Sequence, residues 1–184
     1  GLGKAYYRDQ EVLKKPVILY LGSLSLRKNF QGVLESFAKI HDQIPHNLAL
    51  VGDMQSIFQS SDLANIIKGL PNDRVNFVGQ VDSEDELRNW YNQADLLVFP
   101  SFYESSGLPP TEAMACGCPV LVSEIPALRE RCEDAALYCD PYNIADISDK
   151  VLKVINNQSL KDDLIQKGFL QSKKYSCFDC KKPF

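Results

Sequence analysis

Six short runs of aliphatic and β-branched residues punctuate the chain: Val17 to Leu21, Leu48 to Val51, Val75 to Val78, Leu96 to Phe99, Val120 to Val122 and Leu137 to Cys139. Most are apolar at consecutive positions. A strand with one wet face alternates, so these runs predict strands covered on both faces, as in a parallel sheet. Between them, apolar positions recur at steps of three and four: Phe30, Val33, Leu34 and Phe37; Leu63, Ile66, Ile67 and Leu70; Leu87, Trp90, Tyr91 and Ala94. Each stripe predicts an amphipathic helix. From Ile144 onward the pattern is helical, with Val151, Leu152 and Ile155 followed by Leu164, Ile165 and Phe169. Strand and helix in alternation predict right-handed crossovers and an α/β fold: a doubly wound, mostly parallel sheet of about six strands with helices on both faces.

No internal repeat, low-complexity stretch or Pro/Gly-rich linker interrupts Val17 to Phe169, so residues 16–184 are expected to form one domain. Residues 1–15 are polar and read as a linker or N-terminal arm. The last ten residues, Tyr175 to Phe184, end without a stop signal, and the chain is expected to be a piece of a longer protein.

Composition narrows the function. At 184 residues, 45% apolar and 24% charged, the chain is long enough to bury a full core without staples. The net charge of −4 argues against a surface that neutralises nucleic-acid phosphates, so any anionic ligand must be held locally. No apolar run approaches a membrane span, and the first residues lack a signal-peptide pattern. The expected location is the cytoplasm. Six cysteines (Cys116, Cys118, Cys132, Cys139, Cys177 and Cys180) are expected as reduced thiols, since a core of this size needs no bridges. Cys177 and Cys180 form a lone pair with neither His41 nor His46 near in sequence, so no metal site is expected.

In an open parallel sheet, ligands bind outside the carboxyl ends of the strands, near the point where strand order reverses. The residues following the runs are unusual there. Gly22, Ser23, Arg27 and Lys28 follow the first; Gly79 and Val81 the third; Glu104 the fourth. Arg27 and Lys28 precede a helix, within reach of a phosphate beside the Glu104 loop. Pro109 and Pro110 suit a helix's first turn. The amides of Ser106, Gly107 and Leu108 would then face outward at the positive end of the helix dipole, which suits a phosphate, and Gly107 would let it approach the backbone. Glu112 falls in the small-residue part of an apparently buried helix. An ionised carboxylate there is costly unless it has a hydrogen-bond partner, which a ligand hydroxyl would supply, or unless it points to the wet side.

Together these residues resemble the C-terminal domain of the family 4 glycosyltransferases, retaining enzymes of the GT-B architecture. The most specific element is Glu104, seven intervening residues and Glu112, within ESSGLPPTEAMACGCPVLVS; YLGSLSLRKN, VNFVGQVDSEDELRNWYNQADLLVFPS and DAALYCDP stand around it in the family's order. The resemblance implies a Rossmann-like donor-binding domain and a missing N-terminal domain that binds a glycan or lipid-linked acceptor. It implies a nucleoside diphosphate sugar as donor and transfer with retention. Lys28 would contact the diphosphate, the backbone at Ser106, Gly107 and Leu108 the distal phosphate, Glu104 the sugar hydroxyls and Glu112 the ribose. Gly79 to Val81 would line the base. No cofactor is implied, because cations and amides stabilise the leaving diphosphate where other transferases use a metal. The RKN triplet favours GDP-mannose over UDP sugars, and the isolated domain is expected to transfer little. The inner face of the membrane is a second expected setting, reached through the missing half.

The chain departs from the family where Ser23 replaces a frequent Arg, where Ser106 replaces a frequent aromatic residue, and where Pro126 and Ala127 replace a frequent Gly pair. A non-catalytic nucleotide-sugar-binding or partner-binding subunit of the same fold is the alternative reading. A dinucleotide-dependent oxidoreductase is disfavoured, since the first strand is followed by a single Gly22 and no Gly-rich fingerprint.

Overall fold

The computed structural model describes residues 16–23, 25–53, 61–71 and 73–175. The polar arm and the Cys177–Cys180 pair lie outside them. Six strands, β1 (Val17–Leu21), β2 (Asn47–Val51), β3 (Val75–Gly79), β4 (Ala94–Phe99), β5 (Val120–Ser123) and β6 (Leu137–Cys139), form one sheet in the order β3-β2-β1-β4-β5-β6. Every pairing is parallel. The chain builds outward from β1 to β3, then returns to the other side of β1 with β4. The β1–β4 boundary is therefore the point at which strand order reverses.

Both faces of the sheet are covered, which is why the strands read as continuous apolar runs. Ile18, Tyr20, Leu48, Leu50, Leu96 and Val98 pack on one face against α1 (Phe30–Ile40) and α6 (Ile144–Ile155). Val17, Leu19, Ala49, Val51, Leu97 and Phe99 pack on the other against α3 (Glu84–Gln93), α4 (Leu108–Ala115) and α5 (Pro126–Cys132). The short α2 (Ser61–Lys68) contributes Ile66 and Ile67 to the first layer. The last helix, α7 (Gln158–Ser172), joins the layers: Leu164 belongs to the first core, while a Cβ at Gly168 would meet Met114 Cγ at 3.1 Å. Among the described residues, no helix is long and apolar enough to cross a membrane.

The sequence pattern does not foresee α5. Its seven residues, PALRERC, bury only Leu128 and Cys132, too few positions for a stripe. Pro126 opens this helix, a position that suits its fixed φ. Cys118, Cys132 and Cys139 are buried thiols outside any disulfide, and burial pushes Cys132 and Cys139 up to about 12. Cys116 is disulfide-bonded, contrary to the expectation of reduced thiols throughout. Spacing along a chain does not report which sulfurs approach in space.

One residue fixes the turn that leads from β1 into α1. Asn29 is left-handed (φ 52°), a conformation Asn tolerates better than most residues. Its Oδ1 accepts from the Gly32 amide at 3.2 Å, capping α1, and its Nδ2 donates to the Pro141 carbonyl at 2.8 Å, tying the turn to the loop after β6. Gly32 suits this cap, because a Cβ there would stand 2.4 Å from Asn29 Oδ1. The side chain therefore sets the height of Lys28, its neighbour. Asn29→Ala removes cap and tie together and is expected to cost about 1–3 kcal/mol in urea unfolding, with the native circular dichroism retained.

Candidate functional site

The site starts with two loops that meet where strand order reverses. After β1 the chain makes a 3-10 turn, Leu26–Lys28; after β4 it runs from Pro100 to Gly107 before α4. The Phe102 amide donates to the Arg27 carbonyl at 2.9 Å, which locks the loops together through the backbone. Lys28 Nζ then lies 2.6 Å from Glu104 Oε1 and 4.7 Å from the centroid of the Phe99 ring. Both side chains are largely withdrawn from water, with 12% of Lys28 and 5% of Glu104 accessible. Arg27 donates to the Tyr103 carbonyl at 3.1 Å and sits 3.7 Å from Glu104 Oε2, so two cations flank one carboxylate.

Beneath them, Tyr20 donates its hydroxyl to the Ser23 carbonyl at 2.8 Å. Burial, then the nearby Glu104 carboxylate, raises the Tyr20 phenol well above its ordinary value, so it stays a donor. Ser23 itself is exposed. Gly22, Gly52 and Gly79 form a second backbone bridge: Gly22 donates to Val51 at 3.0 Å, and Gly52 to Gly79 at 2.8 Å. A Cβ at Gly52 would stand 2.0 Å from the Gly22 carbonyl oxygen, so glycine is required for these turns to touch. Val81 lies partly buried against the α3–α4 layer beyond Gly79.

The α4 start combines three constraints. Gly107 is its N-cap with φ 58°, and a Cβ there would meet Leu128 Cδ2 at 2.9 Å. The glycine is needed for helix capping and for packing on α5, a structural reason separate from the ligand access expected from the sequence. Pro109 and Pro110 carry no N–H, which removes two donors from the first turn. The amides of Ser106, Gly107 and Leu108 make no hydrogen bond among the described residues, and they are the donors left at this helix end. Ser106 and Leu108 are exposed.

Glu112 lies one turn into α4, half-buried, and its Oε2 accepts the Tyr91 hydroxyl at 2.9 Å. Burial raises the Glu112 carboxyl above its usual range; the Tyr91 hydrogen bond opposes this, and the neighbouring Glu84 adds to it. Nothing in the sequence marks Tyr91 for this part, since its place on the apolar stripe of α3 hides the hydroxyl. Phe99 below Lys28 and Tyr91 beside Glu112 belong to one apolar cluster, so Lys28 and Glu112 stand on the same side of the sheet.

A separate hollow of about 660 Å³ opens on the α1 side of the β1 turn, lined among others by Ser23, Asn29, Gly32, Asp53, Phe102 and Tyr142. It touches neither Lys28 nor Glu104 nor Glu112. Among the described residues, no group of three or more His, Cys, Asp and Glu side chains converges as a metal centre would require.

Known proteins resemble this chain over most of its length. Residues 6–171 match the family model of the glycosyl transferases group 1. The O-antigen chain mannosyltransferase B of Escherichia coli is 31% identical over 163 residues, which cover 88% of this chain and 42% of that protein. The chain thus spans less than half the length of that relative. The sucrose-phosphate synthase of Thermosynechococcus elongatus superposes with a TM-score of 0.70 at 29% identity, over 94% of this chain and 46% of that one. The C-terminal domain of a glycosyl transferase group 1 family protein from Francisella tularensis superposes with a TM-score of 0.79 at 21% identity, over 95% of this chain and 97% of that domain, a likeness of fold. The chain belongs to the glycosyl transferases group 1 family.

Proposed function

We propose that this chain is the donor-binding half of a retaining glycosyltransferase, which transfers a mannose-like sugar from a nucleoside diphosphate sugar, GDP-mannose before UDP sugars, to a glycan or lipid-linked acceptor. The acceptor would be held by an N-terminal domain, with the protein in the cytoplasm or at the inner face of the membrane. The observation that carries the reading is the buried Lys28–Glu104 pair at the reversal of strand order, flanked by Arg27 and by the free amides after Glu104. Glu104 is the counter-ion of Lys28. A diphosphate entering between Lys28 and the amides of Ser106, Gly107 and Leu108 takes over that part and frees the Glu104 carboxylate for sugar hydroxyls. As the glycosidic bond to the diphosphate breaks, negative charge builds on the departing phosphate. Fixed cations and amides stabilise it without reorganising, and no metal is called for. Glu112 accepts from the ribose, and Gly79 to Val81 line the base.

Thermal unfolding with nucleotides tests the binding. GDP at a hundred times its dissociation constant should stabilise the chain by about 2.7 kcal/mol, and UDP at the same concentration by less. No shift with either at millimolar concentration contradicts the reading.

Two substitutions separate the parts of the pair. Glu104→Gln removes the carboxylate that competes with phosphate for Lys28. It should tighten GDP by roughly tenfold in calorimetry, about 1.4 kcal/mol, while abolishing transfer in a full-length protein that carries this domain. Lys28→Met leaves Glu104 facing the phosphate and should weaken GDP by about 100-fold. Unchanged transfer by the Glu104→Gln protein would favour a non-catalytic subunit.

A further inference from the structure

Tyr91 is among the most completely buried large side chains, 1% exposed, on the face of α3 that packs toward β4 and α4. A phenol so deeply buried needs a partner for its hydroxyl. Here the partner is the carboxylate of Glu112, not a backbone carbonyl, at 2.9 Å. Glu112 Oε1 has no hydrogen-bond partner among the described residues, and the side chain is half-exposed. One oxygen of the carboxylate is therefore held from below by a fixed donor, and the other is left to a ligand.

We propose that Tyr91 is the positioning residue of the site: its hydroxyl clamps Glu112 Oε2 and thereby orients Oε1 as the acceptor for the ribose hydroxyls of the donor. This rests on the reading that Glu112 meets the ribose. The ring of Tyr91 is locked in the apolar layer with Leu19, Phe99, Ala113 and Met114, so its hydroxyl has one place to be. Glu112 sits on an α4 turn that is itself packed against α7. Donor and acceptor are each fixed by core packing, which a surface carboxylate on a flexible stem would lack.

The clamp also sets the charge of Glu112. Burial and the carboxylate of Glu84 on α3 both favour its protonated form, and the Tyr91 hydrogen bond is the contact that favours the ionised one. Burial, together with Glu112 and the Cys118 side chain, keeps the Tyr91 phenol protonated. Loss of the hydroxyl therefore moves the Glu112 carboxyl further up. A protonated Glu112 is a poorer acceptor, so binding that depends on the ribose weakens at a higher pH than in the wild type.

The test is calorimetry of the 184-residue chain with GDP and 2′,3′-dideoxy-GDP between pH 4.5 and 8. The wild type should bind GDP more tightly than the dideoxy nucleotide. Tyr91→Phe, which keeps the ring, should weaken GDP by about tenfold, leave the dideoxy nucleotide within about twofold, and shift the acid limb of GDP binding to higher pH. In place of Tyr91, 3,5-difluorotyrosine preserves the packing and donates more strongly, and should move that limb to lower pH. A wild type that binds both nucleotides equally defeats the ribose assignment of Glu112, and the proposal with it. A wild type that discriminates, with a Tyr91→Phe protein that discriminates as well and keeps the same acid limb, overturns the clamp alone. Should Tyr91→Phe not fold, an unmoved limb in the fluorinated protein overturns it equally.

Discussion

Two opposite charges held out of water where a parallel sheet reverses its strand order constrain the rest of this domain. Lys28 and Glu104 belong to loops 76 residues apart, and the pair forms only if β1 and β4 are neighbours, if the turn after β1 has its set height, and if α4 begins where it does. A buried ion pair gains little stability over an apolar pair of the same volume, because desolvation offsets most of the attraction, yet removing one partner is costly. Such a pair is therefore better understood as a poised site than as a staple. Its charges are already desolvated and oriented, and on the proposed reading a donor phosphate would have only to replace one of them.

The surrounding structure serves that poise. The Phe102–Arg27 backbone bond joins the two loops, Asn29 ties the first to the loop after β6, and Tyr20 supports it from inside the sheet. The bridge from Gly22 through Gly52 to Gly79 aligns the post-strand turns into one rim. On the α4 side, two prolines strip donors from the helix start and leave the amides that precede them. The site is assembled from backbone geometry first and side chains second, which is why loops with little regular structure can hold it.

Much of this was legible in the sequence. Continuous apolar runs gave β1 and β6 their observed bounds, whereas β2 and β4 each begin earlier than their apolar runs, at Asn47 and Ala94, because pairing with β1 extends into residues that are not uniformly apolar. The residues of the candidate site were legible as kinds: a lysine after the first strand, carboxylates eight positions apart, prolines at a helix start. Their mutual contacts were not, since no local pattern reports that Lys28 would meet Glu104 or that Glu112 would find Tyr91. Periodicity also passed over α5, whose buried side shows only Leu128 and Cys132. Gly107 was read as room for a ligand, and its neighbour Leu128 supplies a packing reason for the same residue.

The most direct test is a crystal structure of the chain with GDP bound. Diphosphate oxygens are expected within hydrogen-bond distance of Lys28 Nζ and of the amides at 106–108, with Glu104 released from Lys28. A nucleotide seated instead in the hollow beside Ser23, Asn29 and Asp53, with the Lys28–Glu104 pair intact, would contradict it.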